Sequence, residues 1–432
     1  MIKYKLCDIC TIEKGKTGIK NSIPGEYPLV VTAEERLTNN SYQFDCNAVC
    51  IPLVSSTGHG HASIKRIHYQ SGKFALGSIL CAVIPIDEKK VLAEYLYVYL
   101  SVYKDTLIVP LMKGAANVSL NMKDLKNVEV FVPSIEEQCK IIYKYKNIMK
   151  KIDNIFSENN KIIKYINKIK EQILTNAFQG RLVKNSNDIE SVDKLLEEIK
   201  NIKEKKIING ELYQEKELQQ ITDSEKLFEI PKSWRWVRLG NYCEKVTDQV
   251  ASGSFASLRE NVPSLKTKDY AIMVKTADFA NNFTKDLTYT TEHGYNFLNN
   301  SNLFGGELIL SNIGSIGKVF IVPNLNEKMT LAPNSVMLRF TDDSLRDYIY
   351  YYLLSPIGFS QLMSITSGTT MKKFNKTDLK KIVIPIPPKE EQDRIVEKLL
   401  TIEKYINEVI KNTEDTNLEV NEILKSFLNT IV

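Results

Sequence analysis

Two long stretches of this chain repeat each other at a constant separation of 254 residues. The segment SIEEQCKIIYKYKNIMKKIDNI begins at Ser134, and its counterpart PKEEQDRIVEKLLTIEKYINEV begins at Pro388. The same offset relates three further features, namely Asp124-Leu125 and Asp378-Leu379, Pro133 and Pro387, and Gly114 and Gly368. Internal repeats constrain a fold more than any local signal, and this period is far too long for a solenoid. We therefore expect two copies of a whole domain.

Length and composition agree with a two-domain protein. The chain has 432 residues, of which 43% are hydrophobic and 25% charged, so two or three domains are expected. No run of about eighteen apolar residues occurs, and the N-terminal segment lacks a signal-peptide pattern, so we expect a cytoplasmic protein. Seven scattered cysteines argue against a disulfide framework. The net charge of +5 is compatible with nucleic-acid binding but does not require it.

Each repeated segment continues into a long heptad pattern. Its apolar positions step by four and three residues, which is typical of a coiled coil, and each apolar seam would be about 50 Å long. The predicted inward positions are Ile141, Ile148, Ile152, Ile155, Asn159, Ile162, Ile166 and Ile169, and then Ile395, Leu399, Ile402, Ile406, Val409, Thr413, Val420 and Ile423. We expect the two helices to pair with each other in antiparallel orientation. The alternative is that each helix packs only on its own domain.

The predicted layout has five parts. They are a globular domain (1–133), a central long helix (134–182), a charged helix with a flexible linker (183–230), a second globular domain (231–387) and a C-terminal long helix (388–432). Strand-like runs such as AVCIPLVSS and GELILSNIG alternate with short helices such as AEYLYVYLSV. The fold class is therefore α/β of the mixed α+β kind, in two duplicated domains with an antiparallel coiled coil.

No catalytic motif is present. The sequence has no complete phosphate-binding loop, no dinucleotide fingerprint, no zinc-protease helix and no nucleophile elbow. The only metal-like pattern is Cys7-x-x-Cys10 with Cys46-x-x-x-Cys50, which could hold structural zinc. Because Cys7 and Cys50 lie in apolar surroundings and the second copy lacks equivalents, we predict no metal site.

Two pairs of polar loops are the best candidates for DNA contacts. SSTGHGHASIKR and SNIGSIGKVFIV each follow a predicted strand, and we match Ser55 with Ser311 and Gly58 with Gly314. MKGAANVSLN and SGTTMKKFNK each precede the strand that enters a long helix. Basic, amide and hydroxyl groups in such loops can hold phosphates or read base edges. The candidate residues are Ser55, Ser56, His59, His61, Lys65, Arg66, Lys73, Lys113, Asn117, Lys266, Lys275, Ser311, Asn312, Ser315, Lys318, Thr369, Thr370, Lys372 and Lys373.

These features together resemble the specificity subunits of Type I restriction-modification systems. The resemblance rests on PIPPKEEQDRIVEKL, on ILTNAFQGRLV at the end of the first long helix, and on IPKSWRWVRLG at the start of the second domain. The first copy diverges, with Ser134 for the second proline and Cys139 after EEQ.

The resemblance implies a non-catalytic reader of double-stranded DNA. Each globular domain would be a target recognition domain for one half of a bipartite, asymmetric target. The helices would set the gap and dock two methyltransferase subunits, with restriction subunits completing the nuclease. S-adenosylmethionine, ATP and magnesium would belong to those partners, and this chain would hold no cofactor. Two alternatives remain open, which are a DNA reader for a Type II-like modification enzyme and a coiled-coil scaffold that binds proteins.

Overall fold

A computed structural model describes residues 2–57, 60–114, 117–185, 187, 190–314 and 316–431. The chain divides into two compact units. The first unit contains residues 1–161 and 411–432, and the second contains residues 162–410. None of the described helices is both long and apolar enough to cross a membrane.

The elements up to the first long helix belong to the amino-terminal copy. They are β1 (Ile2–Lys5), α1 (Leu6–Ile9), β2 (Cys10–Lys14), β3 (Tyr27–Val30), β4 (Leu37–Asn39), β5 (Phe44–Asp45), β6 (Ala48–Pro52), β7 (His68–Gln70), β8 (Lys73–Leu76), β9 (Leu80–Pro85), α2 (Ala93–Leu107), β10 (Met112–Lys113), β11 (Ser119–Leu120), α3 (Met122–Lys126), β12 (Glu129–Val132) and α4 (Ile135–Phe178).

The remaining elements belong to the second copy. They are α5 (Ser191–Ile208), β13 (Arg235–Arg238), α6 (Leu239–Tyr242), β14 (Lys245–Asp248), α7 (Phe255–Asn261), β15 (Ala271–Val274), β16 (Tyr289–Thr290), α8 (Glu292–Phe297), β17 (Asn302–Leu303), β18 (Leu308–Ser311), β19 (Val319–Ile321), β20 (Met329–Leu331), β21 (Ser335–Arg339), α9 (Asp343–Leu354), α10 (Pro356–Ser364), α11 (Lys376–Lys381), β22 (Val383–Ile386) and α12 (Lys389–Ile431).

The two copies have the same sheet topology, which confirms the predicted duplication. One four-stranded sheet has the order β2-β9-β6-β7 in the first unit and β14-β21-β18-β19 in the second. The other has the order β4-β3-β8-β5 and β16-β15-β20-β17. In each of these latter sheets the central pair is parallel and both outer pairs are antiparallel. The central strands β6 and β18 are buried throughout, which explains why both read as short apolar runs.

The EEQ repeat attaches each long helix to its globular domain. Gln138 is fully buried, and its Nε2 donates to the carbonyls of Lys90 (3.0 Å) and Pro133 (2.9 Å) while its Oε1 accepts the amide of Leu92 (2.9 Å). Gln392 is equally buried and donates to the Pro387 carbonyl (2.9 Å). A buried amide needs such partners, so the glutamine holds the helix start in one position.

The two long helices pair in antiparallel orientation. Within the second unit, Lys170 Nζ donates to Glu403 Oε1 (3.2 Å), and further along the chain Arg394 Nη2 donates to the Lys184 carbonyl (3.1 Å). Within the first unit, the buried Asn159 donates to Asn417 Oδ1 (2.7 Å). Lys184 comes later in the chain than Lys170, but its partner Arg394 comes earlier than Glu403. The two helices therefore run antiparallel. A polar pair inside an apolar seam favours one register.

The inward face of the helices differs from the predicted seam at five positions. The predicted positions Ile155, Ile162, Ile169, Val409 and Ile423 are exposed, whereas the remaining predicted positions are buried or half-buried. The residues that follow them are half-buried instead, namely Phe156, Ile163, Lys170, Ile410 and Leu424. With about 100° between residues, the third and the fourth residue after a seam position lie on opposite sides of the stripe, at about equal angles from its centre. Periodicity therefore does not decide which of the two faces inward, and packing against the partner helix does.

The charged segment after the first long helix packs on the second unit. Val192, Leu195 and Ile199 of α5 join its hydrophobic core. We expected a flexible linker after this helix, but part of it is held by the largely buried Arg238. The guanidinium of Arg238 donates to both carboxylate oxygens of Glu225 (2.7 and 2.9 Å) and to the carbonyls of Gln219 (3.1 Å) and Gln220 (3.3 Å). Residues 219–225 are thus held against the second globular domain.

Candidate nucleic-acid interface

Two loops lie side by side in each unit. We call the segment after β6 or β18 the strand loop (53–67 and 312–318), and the segment before α3 or α11 the hairpin loop (112–120 and 367–373). In the second unit the Gly314 amide donates to the Lys372 carbonyl (3.1 Å), and the Phe374 amide donates to the Asn312 carbonyl (3.1 Å). Ile313 and Lys373 form an antiparallel bridge between these bonds. The two loops therefore form one surface.

The first unit joins its two loops by the same bonds. The Ser55 amide donates to the Val118 carbonyl (2.9 Å), and the Leu120 amide donates to the Leu53 carbonyl (2.9 Å). Val54 bridges Ser119 between them. The sequence placed these loops in separate parts of each copy, and the sheet brings them together in both.

The structure changes the pairing of the strand loops. Pro52 and Ser311 occupy equivalent ladder positions, opposite Leu80 and Ser335. Ser55 therefore corresponds to Gly314, and the predicted match of Ser55 with Ser311 is off by three residues. The reason is that the connections preceding these strands differ in length, so the constant offset of the helices does not hold here.

The repeated glycine of the hairpin loop has a steric explanation. Gly114 has φ +139° and Gly368 has φ +96°. A Cβ atom would lie 2.3 Å from the Asn117 carbonyl oxygen in the first case and 2.4 Å from the Met371 carbonyl oxygen in the second. Only glycine accommodates both the backbone angle and this close approach.

Several predicted contact residues use their polar groups to build the loops. The Ser55 hydroxyl donates to the His61 carbonyl (2.6 Å) and accepts the Ser63 amide (3.1 Å), and Ser56 Oγ accepts the Lys65 amide (2.9 Å). Ser311 is buried and donates to the Ile313 carbonyl (3.2 Å). Asn312 Nδ2 donates to the Phe374 carbonyl (3.2 Å). These side chains determine the loop conformation, and they present little to a ligand.

The outward-facing groups are mostly cations and hydroxyls. His61, Lys65, Lys113 and Asn117 are exposed in the first unit, where Lys113 Nζ lies 3.8 Å from Asp124. In the second unit the exposed predicted residues are Lys318, Thr369, Thr370, Lys372 and Lys373. Lys and Thr side chains that project from a fixed backbone are suited to phosphate contacts.

Four predicted residues lie away from this surface or are paired within the protein. Lys73 begins β8, which belongs to the other four-stranded sheet, and its Nζ lies over the Tyr42 ring (4.9 Å). Arg66 forms an ion pair with Glu34 (2.9 Å). Lys275 Nζ donates to Thr288 Oγ1 (2.9 Å) and to the Asp286 carbonyl (3.2 Å). Lys266 is exposed beside the Leu265–Tyr289 bridge.

The predicted contact residues His59 and Ser315, and Gly58 of the predicted glycine match, lie outside the described residues. Across the part of the chain that is described, no group of three or more His, Cys, Asp or Glu side chains is arranged to hold a metal ion. Burial raises the pKa of the Cys10 thiol to about 12 and also raises that of Cys50.

Comparison with known proteins identifies the family. A model described as the Type I restriction modification DNA specificity domain matches the chain twice, over residues 1–171 and 231–420. The chain belongs to this family. Members of this family are specificity subunits, which recognise DNA and are not themselves enzymes.

Two relatives match it along most of their length. The EcoDI specificity subunit of a type I restriction enzyme from Escherichia coli is 22% identical over 409 residues, which cover 94% of this chain and 81% of that protein. The MjaVIII specificity subunit from Methanocaldococcus jannaschii is 22% identical over 353 residues, covering 79% and 71% respectively. A solved structure from a study of complex assembly and conformational transition in the type I R-M system was also compared. Its alignment covers 100% of this chain and 97% of the solved chain. Its TM-score of 0.64 at 15% identity shows the same fold.

Proposed function

We propose that this chain reads a bipartite, asymmetric DNA target, with one half-site for each recognition domain. The observation that carries the proposal is the pairing of strand loop and hairpin loop at the same place on two copies of one fold. The paired loops differ between the copies in length and side chains, so two different half-sites are expected. Chains with duplicated readers suit split targets.

Charge in the hairpin loops supports contacts to phosphates. The second unit carries Lys372 and Lys373 where the first unit has Val118 and Ser119, so the second hairpin loop is the more basic one. Each phosphate neutralised by a lysine releases counterions, and binding should therefore weaken steeply as salt rises.

An outward-facing apolar stripe on the long helices supports docking of partner subunits. Within the second unit, Ile162, Tyr165 and Ile169 are exposed and lie at spacings of three and four on one face of α4. Tyr165 is 61% exposed and Ile169 is 54% exposed, which is unusual for large apolar side chains in such a row. We assign this stripe to two methyltransferase subunits, with restriction subunits joining the complex.

The remaining parts of the proposal follow from the family. The methylation and cleavage chemistry, with S-adenosylmethionine, ATP and magnesium, belongs to the partner subunits, and this chain binds no cofactor. Because its ligand is chromosomal or invading DNA, we place its action in the cytoplasm.

Two alternatives make different predictions. A DNA reader for a Type II-like modification enzyme would assemble with one fused enzyme and would need no separate restriction subunit. A coiled-coil scaffold would bind proteins but would give no sequence-selective DNA binding with any methyltransferase. The exposed basic loops at equivalent sites favour the DNA reader over the scaffold.

Co-expression with the modification subunit encoded beside it tests the proposal. Methylated adenines are then mapped by single-molecule sequencing, for the wild-type chain and for a chimera that carries residues 231–387 of another family member. We expect a split motif with a fixed gap, of which the chimera changes one half only. A change in both halves would contradict the modular reading, and the absence of any complex would favour the scaffold.

A further inference from the structure

The two recognition domains differ in the length of several connections, one of which leaves the sheet beside the strand loop. We call it the side loop, which is residues 31–36 between β3 and β4 and residues 275–288 between β15 and β16. The side loop thus has six residues in the first unit and fourteen in the second. Since the flanking strands have the same topology, the extra length is an addition to the second domain alone.

The side loop of the second unit emerges beside the strand loop. The Ala332 amide donates to the carbonyl of Val274, the last residue of β15 (3.0 Å). Two residues later, the Asn334 carbonyl accepts the amide of Asn312, the first residue of the strand loop (3.3 Å). The side loop also packs on β19, which follows the strand loop, because the Phe279 and Phe320 rings stack with centroids 4.3 Å apart.

The side loop of the second unit is held in one conformation. Lys275 at its start donates to Asp286 and Thr288 near its end, and the buried Asp278 accepts the Lys275 amide (2.8 Å). Asn282, Phe283 and Asp286 have φ between 51° and 57°. Left-handed conformations of residues other than glycine are costly, and they persist where surrounding contacts impose them, commonly at binding sites.

This rigid backbone presents polar side chains to solvent. Asn282 and Lys285 are exposed, and the Thr284 hydroxyl donates to the Asn281 carbonyl (2.6 Å) with its lone pairs still able to accept. Asparagine can pair with both polar groups on the major-groove edge of adenine, and a lysine can contact a phosphate. A preformed loop binds without a large ordering cost.

The side loop of the first unit lacks these groups. Glu34 and Glu35 are exposed there, and Glu34 pairs with Arg66 of the strand loop. Carboxylates repel DNA phosphates. The second side loop exposes one carboxylate, Asp286, beside Lys285, whereas the first exposes two and has no lysine, so the shorter loop suits the same role less well.

We propose that the 275–288 side loop is an additional DNA-reading element of the second recognition domain, with Asn282 reading a base and Lys285 holding a phosphate. This inference rests on the proposed function, because it assigns a further contact within the half-site of that domain. With this additional contact, the second half-site should be longer or more stringent than a half-site read by the strand loop and the hairpin loop alone.

The test uses the complete complex with the modification subunit. The variant Asn282→Gly removes the amide but retains the left-handed backbone, and Asn282→Asp retains its shape while removing the amide donors. The matched control is Asn326→Gly, because Asn326 is also exposed with φ 55°. It lies in the 322–328 connection, which precedes β20 and so reaches the opposite end of the parallel β15–β20 pair.

We expect both Asn282 variants to relax one position of the second half-site, with about a 5- to 150-fold loss of discrimination there. Lys285→Ala should weaken binding to all sequences and lower the salt slope by about one. An unchanged motif in both Asn282 variants, or relaxation in the first half-site, would overturn the inference. Absence of a split motif for the wild-type complex would instead contradict the proposed function, and Asn326→Gly should match the wild type.

Discussion

The buried glutamine of the EEQ repeat should be the residue that attaches the first long helix to its domain. Replacement of Gln138 by leucine keeps a side chain of similar volume but removes every hydrogen bond of the amide. The carbonyls of Lys90 and Pro133 and the amide of Leu92 then lose their partner. Because the site is fully buried, water cannot replace the amide without rearrangement.

The expected loss of stability follows from these three bonds. A buried donor or acceptor left without a partner costs about 1–3 kcal/mol, so the free energy of unfolding of the first unit should fall by at least about 3 kcal/mol. For a unit of roughly 180 residues this corresponds to a decrease in Tm of about 6–12 °C.

Thermal unfolding and hydrogen exchange measure this change together. The Leu92 amide should exchange faster in Gln138→Leu, because it loses its acceptor directly. Cys139→Ala is the matched control, since Cys139 is the next residue and is exposed, and it should change the free energy of unfolding by less than about 0.5 kcal/mol. If Gln138→Leu unfolds at the same temperature as Cys139→Ala, and the Leu92 amide exchanges at the wild-type rate, then the Gln138 amide does not hold the helix.

Three further predictions concern binding and the fastened segment. Lys372→Ala with Lys373→Ala should lower DNA affinity of the complex for all sequences and reduce the salt slope by about two, because each lysine is assigned one phosphate. Ile169→Glu should weaken capture of the methyltransferase subunit by about tenfold or more, since a charge would enter an apolar contact. The Arg238 guanidinium and the Thr222 amide hold the pKa of Glu225 at about 2, below its ordinary value of 4.5. The stabilisation from this pair is therefore present above about pH 4.5 and is lost as the pH falls towards 2. Arg238→Met should reduce that dependence to the part that Thr222 contributes, and it should expose residues 219–225 to proteolysis.

Each of these predictions has a control and a contrary outcome. An unchanged salt slope in the double alanine variant would mean that the hairpin loop does not contact DNA phosphates. Lys168→Glu changes an exposed charge next to the apolar stripe, and equal loss of binding in both helix variants would indicate a general charge effect. Equal proteolysis of residues 219–225 in wild type and Arg238→Met would mean that other contacts hold the segment.

Much of the fold was predictable because its signals are local and occur twice. The glutamine, the glycine of the hairpin loop and the apolar stripes recur at one offset, so each copy supports the interpretation of the other. The structure then supplies a physical reason for each, which is a buried amide at Gln138 and a close backbone approach at Gly114.

The candidate site was less predictable because its residues meet through the sheet. Hydroxyls such as that of Ser55 looked available for ligands, yet the structure uses it to close its own loop. The side loop of the second unit carried only a weak signal, FANNFTKD, whose importance depends on the neighbouring strand loop. Pairing within a sheet is a long-range property, and residue spacing does not reveal it.

The sequence by itself determined that this protein is a duplicated pair of α/β domains with long pairing helices, and its motifs placed it among DNA specificity subunits. These conclusions depend on periodicity and on exact repetition, which survive without knowledge of contacts. Only the tertiary structure decided that Phe156 rather than Ile155 faces inward, and that strand loop and hairpin loop form one surface. Both outcomes depend on which groups a neighbouring element covers, and that is set by packing between residues far apart in the chain.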